Sequence, residues 1–298
     1  MKKYYLLLLC TTFAYSQKES PLKETVYYSI EEALEVKSPK QLNLRDQNLF
    51  YIAPEIQKLQ SLEYINLMRN HLHEIDDSIL TLSKLKALEI NQNAITAIPK
   101  GIEKLRKIEY INLASNKINL IPESIAKLKK LKQLQISVNA LSYIPDALTH
   151  CKSLEILELN SNQLSYLPSN FNKLKKIKNL QLGYNQFNEL DREWFQFKEL
   201  EVLNLEYNQL KTFNVDLSNL KKLKTLLLND NKIESLPDEI ITLTNLELLL
   251  VANNDLQKLP QNIQTLKKLK TLIATGNNFD KEEQQRIINA LPNCKVYF

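Results

Sequence analysis

Few side chains in this sequence of 298 residues are of types that do chemistry, and their spacing works against it. His71, His73 and Glu74 are close in the chain, and three such ligands converging would suit a divalent metal. The local spacing fixes no third ligand, so no metal site is expected. His150 stands beside Cys151, the residue types of a base and a thiol nucleophile. Cys151, however, occupies a slot that leucine fills elsewhere, which marks it as a small buried hydrophobe. Glu158 and Glu206 supply carboxylates for general acid–base work, but they fall two strands apart, about 10 Å, with no histidine near them. The three glycines, Gly101, Gly183 and Gly276, are scattered. A phosphate cradle or dinucleotide fingerprint needs clustered glycines, so neither is expected. No catalytic residue, metal ligand or cofactor follows from these residues.

The elements that would position any site are set by a repeat. A pattern LxxLxLxxNxL recurs every 23 residues, and its first positions are Leu62, Leu85, Ile108, Leu131, Leu154, Ile177, Leu200, Leu223, Leu246 and Leu269. A degenerate copy begins at Pro39, with Gln47 where asparagine is expected. Positions 4 and 6 are apolar while positions 5 and 7 are mostly polar or small, the signature of a short strand with one buried face. Positions 11, 14, 18 and 21 are apolar too. Positions 18 and 21, such as Ile102 and Leu105, share one side of a short helical turn. Proline at position 15, as in Pro99 and Pro237, is expected at the start of that turn. Each strand returns through a crossover of fixed length, so neighbouring strands must run parallel, and the inward positions stack into one continuous core.

These residues resemble the leucine-rich repeat family over roughly 39–280. The half-repeat xxIPxxIxxLxx, as in Ala97-Ile98-Pro99-Lys100-Gly101-Ile102, is similar to the plant intracellular Ras-group and Ras-pathway scaffold type. The resemblance implies an α/β solenoid of about eleven repeats plus caps, with a curved parallel sheet on the concave face and short helices or turns on the convex face. It also implies a protein-binding scaffold.

Position 9 is asparagine in ten repeats: Asn70, Asn93, Asn116, Asn139, Asn162, Asn185, Asn208, Asn231, Asn254 and Asn277. It falls where the strand turns inward and backbone groups leave the sheet. An amide carries both donors and an acceptor and can satisfy those groups while buried, so the column reads as a structural ladder. Position 2 alternates in sign, Lys40, Glu63, Lys86, Glu109, Lys132, Glu155 and onward to Lys270. Rungs about 4.8 Å apart let these charges pair. The alternation breaks any basic stripe, so no nucleic-acid partner is expected.

The ends depart from the repeat. Residues 1–16 hold Lys2 and Lys3, an apolar run, and Ala14-Tyr15-Ser16, which together read as a secretory signal peptide cut before Gln17. Export is expected, to a periplasmic, cell-surface or secreted location, and with it a mature chain free of a transmembrane segment. Cys151 and Cys294, the cysteines left after cleavage, lie six repeats apart, too far for a disulfide. Residues 17–38 form a helical cap with the capping pattern Ser29-Ile30-Glu31-Glu32, and 281–298 a helix and a final strand.

Function then rests on the concave face, formed by the outward positions 3, 5, 7 and 8. Partner-binding candidates are Tyr64, Tyr110, Tyr184, Glu206 and Tyr207, and an apolar group of Leu227, Leu248, Leu250 and Ile273. Tyrosine gives rigid contact area with a polar tip. The apolar group reads either as an outward-facing contact site or as a surface covered by the C-terminal cap or by a partner subunit. The expected function is a non-catalytic protein–protein interaction module, with glycan or cell-surface recognition as one alternative and an enzyme with a concave-face site as the other.

Overall fold

The computed structural model describes residues 22–298, so the expected leader at 1–16 lies outside the described residues. One sheet of thirteen strands runs in strict chain order. Its strands are β1 (Val26–Tyr27), β2 (Gln41–Asn43), β3 (Tyr64–Asn66), β4 (Ala87–Glu89), β5 (Tyr110–Asn112), β6 (Gln133–Gln135), β7 (Ile156–Glu158), β8 (Asn179–Gln181), β9 (Val202–Asn204), β10 (Thr225–Leu227), β11 (Leu248–Leu250), β12 (Thr271–Ile273) and β13 (Lys295–Tyr297). Every pair is parallel and in register, with Leu134 opposite Leu157 and Leu157 opposite Leu180, one repeat apart at each step. The strand β1 was not foreseen from the sequence; it adds to the open edge before the first repeat.

The core is one continuous stack. In the third repeat Leu85, Leu88, Ile90, Ile95, Ile98, Ile102 and Leu105 are all buried, and the corresponding residues of the other repeats join the same cluster. The convex side is built mainly of single 3-10 turns such as Lys100–Lys104 and Glu123–Lys127. Pro54 opens the first of these turns from within, but the position-15 prolines Pro99, Pro122, Pro145 and Pro237 stand one residue earlier, as caps. Pro99 sits one residue ahead with extended backbone (φ −70, ψ 150), and its carbonyl accepts from the Ile102 N–H at 3.0 Å. The fixed φ of proline suits an extended cap as well as a first helical residue. Bulk is concentrated in one repeat, where Trp194, Phe195 and Phe197 are buried against Phe187 and Phe171.

The asparagine column ties each repeat to the one before it. Asn162 donates to the carbonyls of Ile136 (3.1 Å) and Leu159 (3.0 Å), while its Oδ1 accepts from the Leu141 N–H at 3.0 Å. The same bonds recur from Asn70 to Asn277. The residue just before each asparagine, position 8, adopts a left-handed backbone. Arg69, Ser115, Val138, Ser161, Tyr184 and Tyr207 all have φ between 52 and 56. That conformation aims the position-8 N–H at the next repeat, as in Tyr184 N–H to Glu206 O at 2.8 Å. It was not visible in the sequence, because glycine occupies the column only at Gly276.

The first α-helix, α1 (Ile30–Leu34), is capped by Ser29, whose hydroxyl accepts from the Glu32 N–H, while Glu32 accepts from the Tyr28 N–H. The last, Lys281–Ala290, starts at Asp280 and covers the final repeats through Ile287. Position 2 forms the expected ladder of ion pairs: Glu109 holds Lys132, Glu155 holds Lys178 and Glu201 holds Lys224, each at 2.6 Å.

Candidate functional site

The concave face consists of four columns running the length of the sheet. Strands stand about 4.8 Å apart, less than the width of most side chains. Rungs of one column therefore press on each other, and much of this face is closed to water.

The central column, position 5, shows this most. Asn66, Glu89, Asn112, Gln135, Gln181 and Asn204 are all buried. Leu227 and Leu250 are buried as well, at 1% and 3% exposure. They lie opposite each other across β10 and β11, with Ile273 beyond them and Tyr297 of the last strand paired with Ile273. Of the two readings of this apolar group, an open landing site or a covered surface, burial of Leu227 and Leu250 rules out the open site for these two residues. They are on the concave face, but each is sealed by its neighbours in the column. Leu248 and Ile273 are half-buried.

Tyr64 and Tyr110 need the same correction, since they are 2% and 3% exposed. Each lies across the sheet and reaches the central column one repeat on. The Tyr64 hydroxyl donates to Glu89 Oε1 at 3.1 Å, and the Tyr110 hydroxyl bonds Gln135 Oε1 at 2.8 Å. Leu22 packs onto this group from the N-terminal segment, which is clamped by Gln41 through the Leu22 N–H and the Glu24 carbonyl. Glu89 is fully buried, and its Oε2 has no hydrogen-bond partner among the described residues. Burial pushes its carboxyl up to about 7, against the opposing effects of the Tyr64 bond and of Arg45. Glu158 and Glu206 are raised by burial too.

Tyr184 and Tyr207 are different. They occupy successive rungs of position 8, at the edge of the face, and are 51% and 44% exposed. Their rings stack with centroids 4.1 Å apart and planes 14° from parallel. The Tyr184 side chain, then burial, then Asp230 raise the Tyr207 hydroxyl to about 12. Glu206 lies buried beside them in position 7 and accepts from Asn229. The next rung back in position 7 is Gly183, which has no side chain; a Cβ there would meet Asn204 Oδ1 at 3.0 Å. Val138 extends the edge column two rungs back, 52% exposed. Of the residues singled out from sequence, the structure thus leaves Tyr184 and Tyr207 in the open, with Glu206 buried beside them, keeps Leu248 and Ile273 half-buried and closes off Tyr64, Tyr110, Leu227 and Leu250.

No group of three or more metal-ligating side chains converges among the described residues. His71 stacks on Phe50, with ring centroids 5.0 Å apart. Cys151 is buried, its thiol bonded to the Ile125 carbonyl and raised to about 12 by burial. Cys151 and Cys294 are both free thiols. No helix among the described residues is long and apolar enough to cross a membrane.

A family model described as a leucine-rich repeat region matches residues 23–142, 84–195 and 184–285. The chain belongs to the leucine-rich repeat family. Among solved structures, this leucine-rich repeat chain is similar to a leucine-rich repeat protein of Leptospira interrogans, at 26% identity and TM-score 0.57 over 92% of this chain and 100% of that one. It is similar to a TDR receptor at 28% identity and TM-score 0.80, over 92% of this chain but 50% of the receptor chain. The FLRT2 repeat domain, solved in an octameric complex with Latrophilin 3 and Unc5D, shares the fold at 23% identity and TM-score 0.70, over 86% of this chain and 82% of that one. No protein of curated function matches the sequence. Leucine-rich repeat proteins are generally non-enzymatic modules for protein–protein contact.

Proposed function

We propose that this leucine-rich repeat chain is an exported, non-catalytic interaction module that captures a protein partner on its concave face, at the ridge centred on Tyr184 and Tyr207. The observation that carries this reading is the stacked, exposed tyrosine pair on a face whose other aromatic side chains in the repeats, Tyr64 and Tyr110, are packed away. Two rings already held against each other lose little freedom on binding and offer preformed contact area. The residues that could do chemistry are used structurally: Tyr64 and Glu89 bond to each other, and Cys151 is a core residue. The likeness to a receptor chain supports a recognition role. Export rests on the charged start, the apolar run and Ala14-Tyr15-Ser16.

The test is affinity capture from the native envelope and secreted fractions, with the chain and its Tyr184→Ser/Tyr207→Ser variant as baits. A partner held by the first bait and lost by the second supports the reading. A partner retained equally by both sinks the assignment to this ridge. Mass spectrometry of the protein purified from its source checks export. An N-terminus at Gln17 is expected, and an intact Met1 would contradict it.

A further inference from the structure

The whole chain is basic, with 39 Lys and Arg against 34 Asp and Glu. Its concave face is the reverse. From β4 to β12 the four concave columns contain no lysine or arginine, yet they hold Glu89, Glu158, Glu206 and Asp230. The nearby lysines belong to position 2, on the opposite edge of the sheet, where glutamates of the same column pair with them. The face around the tyrosine ridge is therefore anionic, within a protein of opposite net charge.

The ridge has a free aromatic face with a defined direction. The centroid spacing of Tyr184 and Tyr207, 4.1 Å, is close to the spacing of rungs, and the rings are nearly parallel. The rings therefore stack along the column. One face of Tyr184 is taken by Tyr207, and the other looks back toward the rung of Ser161, whose side chain is too short to cover it. The space above Ser161 is thus a notch in the edge column; in the neighbouring column Gly183 brings no side chain, and the amides of Asn204 and Asn160 stand 3.0 and 3.3 Å from where its Cβ would be. A flat group entering there would extend the stack by one member.

We propose that this notch receives an arginine side chain of the partner protein, with its guanidinium stacked on Tyr184 above Ser161 and its charge met by Glu158 and Glu206. The inference rests on the proposed binding role of the ridge and adds the chemistry of the partner. Guanidinium is planar, weakly hydrated and suited to tyrosine faces, whereas the compact, strongly hydrated ammonium of lysine is a poorer stacking group. Both carboxylates lie within about two rungs of the notch, roughly 10 Å, close to a Debye length at physiological salt. A nucleobase would stack as well, but its phosphates would meet a face without cations.

The test uses fluorescence anisotropy with labelled nona-arginine, nona-lysine and nona-glutamate peptides at about 0.15 M salt. Nona-arginine is expected to bind about tenfold tighter than nona-lysine, and nona-glutamate not at all. Tyr184→Ser/Tyr207→Ser should bring nona-arginine down to the lysine level, while Tyr184→Phe/Tyr207→Phe should keep the preference because the stack survives. Glu158→Gln/Glu206→Gln should weaken both basic peptides alike. Tyr166→Ser, an exposed tyrosine outside the concave columns, should change nothing. Thermal melting of each variant confirms that it is folded. Equal affinity for arginine and lysine, or indifference to loss of both tyrosines, overturns the proposal. If capture still finds a partner dependent on the tyrosine pair while nona-arginine shows no preference, the ridge remains a binding site and only the arginine assignment fails.

Discussion

The Tyr64 hydroxyl donates to Glu89 Oε1 at 3.1 Å on a part of the concave face from which water is excluded, and that single bond leaves the other carboxylate oxygen unpartnered among the described residues. Burial raises this carboxyl from 4.5 to about 7. In the unfolded chain Glu89 ionises near 4.5, while in the folded chain it keeps its proton to about 7. Between those values the native state binds more protons, so stability falls as pH rises through the window and levels off above it. Glu89→Gln should remove this slope and raise stability at pH 8 by about 2 kcal/mol. Urea denaturation of both proteins at pH 5 and pH 8 measures the difference. A midpoint for the parent chain that does not fall between those pH values would contradict the argument.

Asn162→Leu adds apolar area in the middle of the array and should nevertheless destabilise. The substitution strands the Leu141 N–H and takes one of two amide donors from each of the Ile136 and Leu159 carbonyls, which keep only their bonds from Asn139 and Asn185. The expected cost is on the order of 1–3 kcal/mol, read from the chemical denaturation midpoint. An unchanged midpoint would show that water satisfies these groups.

Leu227→Ser and Leu250→Ser should each cost about 2–4 kcal/mol, because each removes a buried side chain and buries a hydroxyl in its place. Thermal melts of the single variants give the answer. A loss below about 0.5 kcal/mol would mean that the column opens to solvent and behaves as an ordinary surface.

Val138 holds a left-handed backbone, φ 56, with a β-branched side chain that is 52% exposed. β-Branched residues pay the most for this conformation and asparagine pays little. Val138→Asn should therefore stabilise the fold by about 0.5–1 kcal/mol. Differential scanning calorimetry of the two proteins would show it as a raised midpoint, and a lowered midpoint would refute the strain.

The sequence by itself determined the solenoid. A strict 23-residue period with apolar positions 1, 4, 6, 11, 14, 18 and 21 leaves one way to bury them, a parallel stack, and residues such as Leu88, Ile90 and Ile102 are buried accordingly. The asparagine and the alternating charge at position 2 were legible for the same reason: their partners lie one period away, so register alone sets the contacts. Which concave residues face solvent was not legible. Outward position in a strand fixes direction, whereas exposure depends on how closely the neighbouring rungs pack and on what crosses them. Only the tertiary structure shows Leu227 sealed between Asn204 and Leu250, Tyr64 laid across the sheet onto Glu89, and Leu22 brought back over both tyrosines of the early repeats. It also decides that Tyr184 and Tyr207 stay in the open. They stand at the left-handed edge of the strand turn, where the column has left the packed face and two rings can cover only each other.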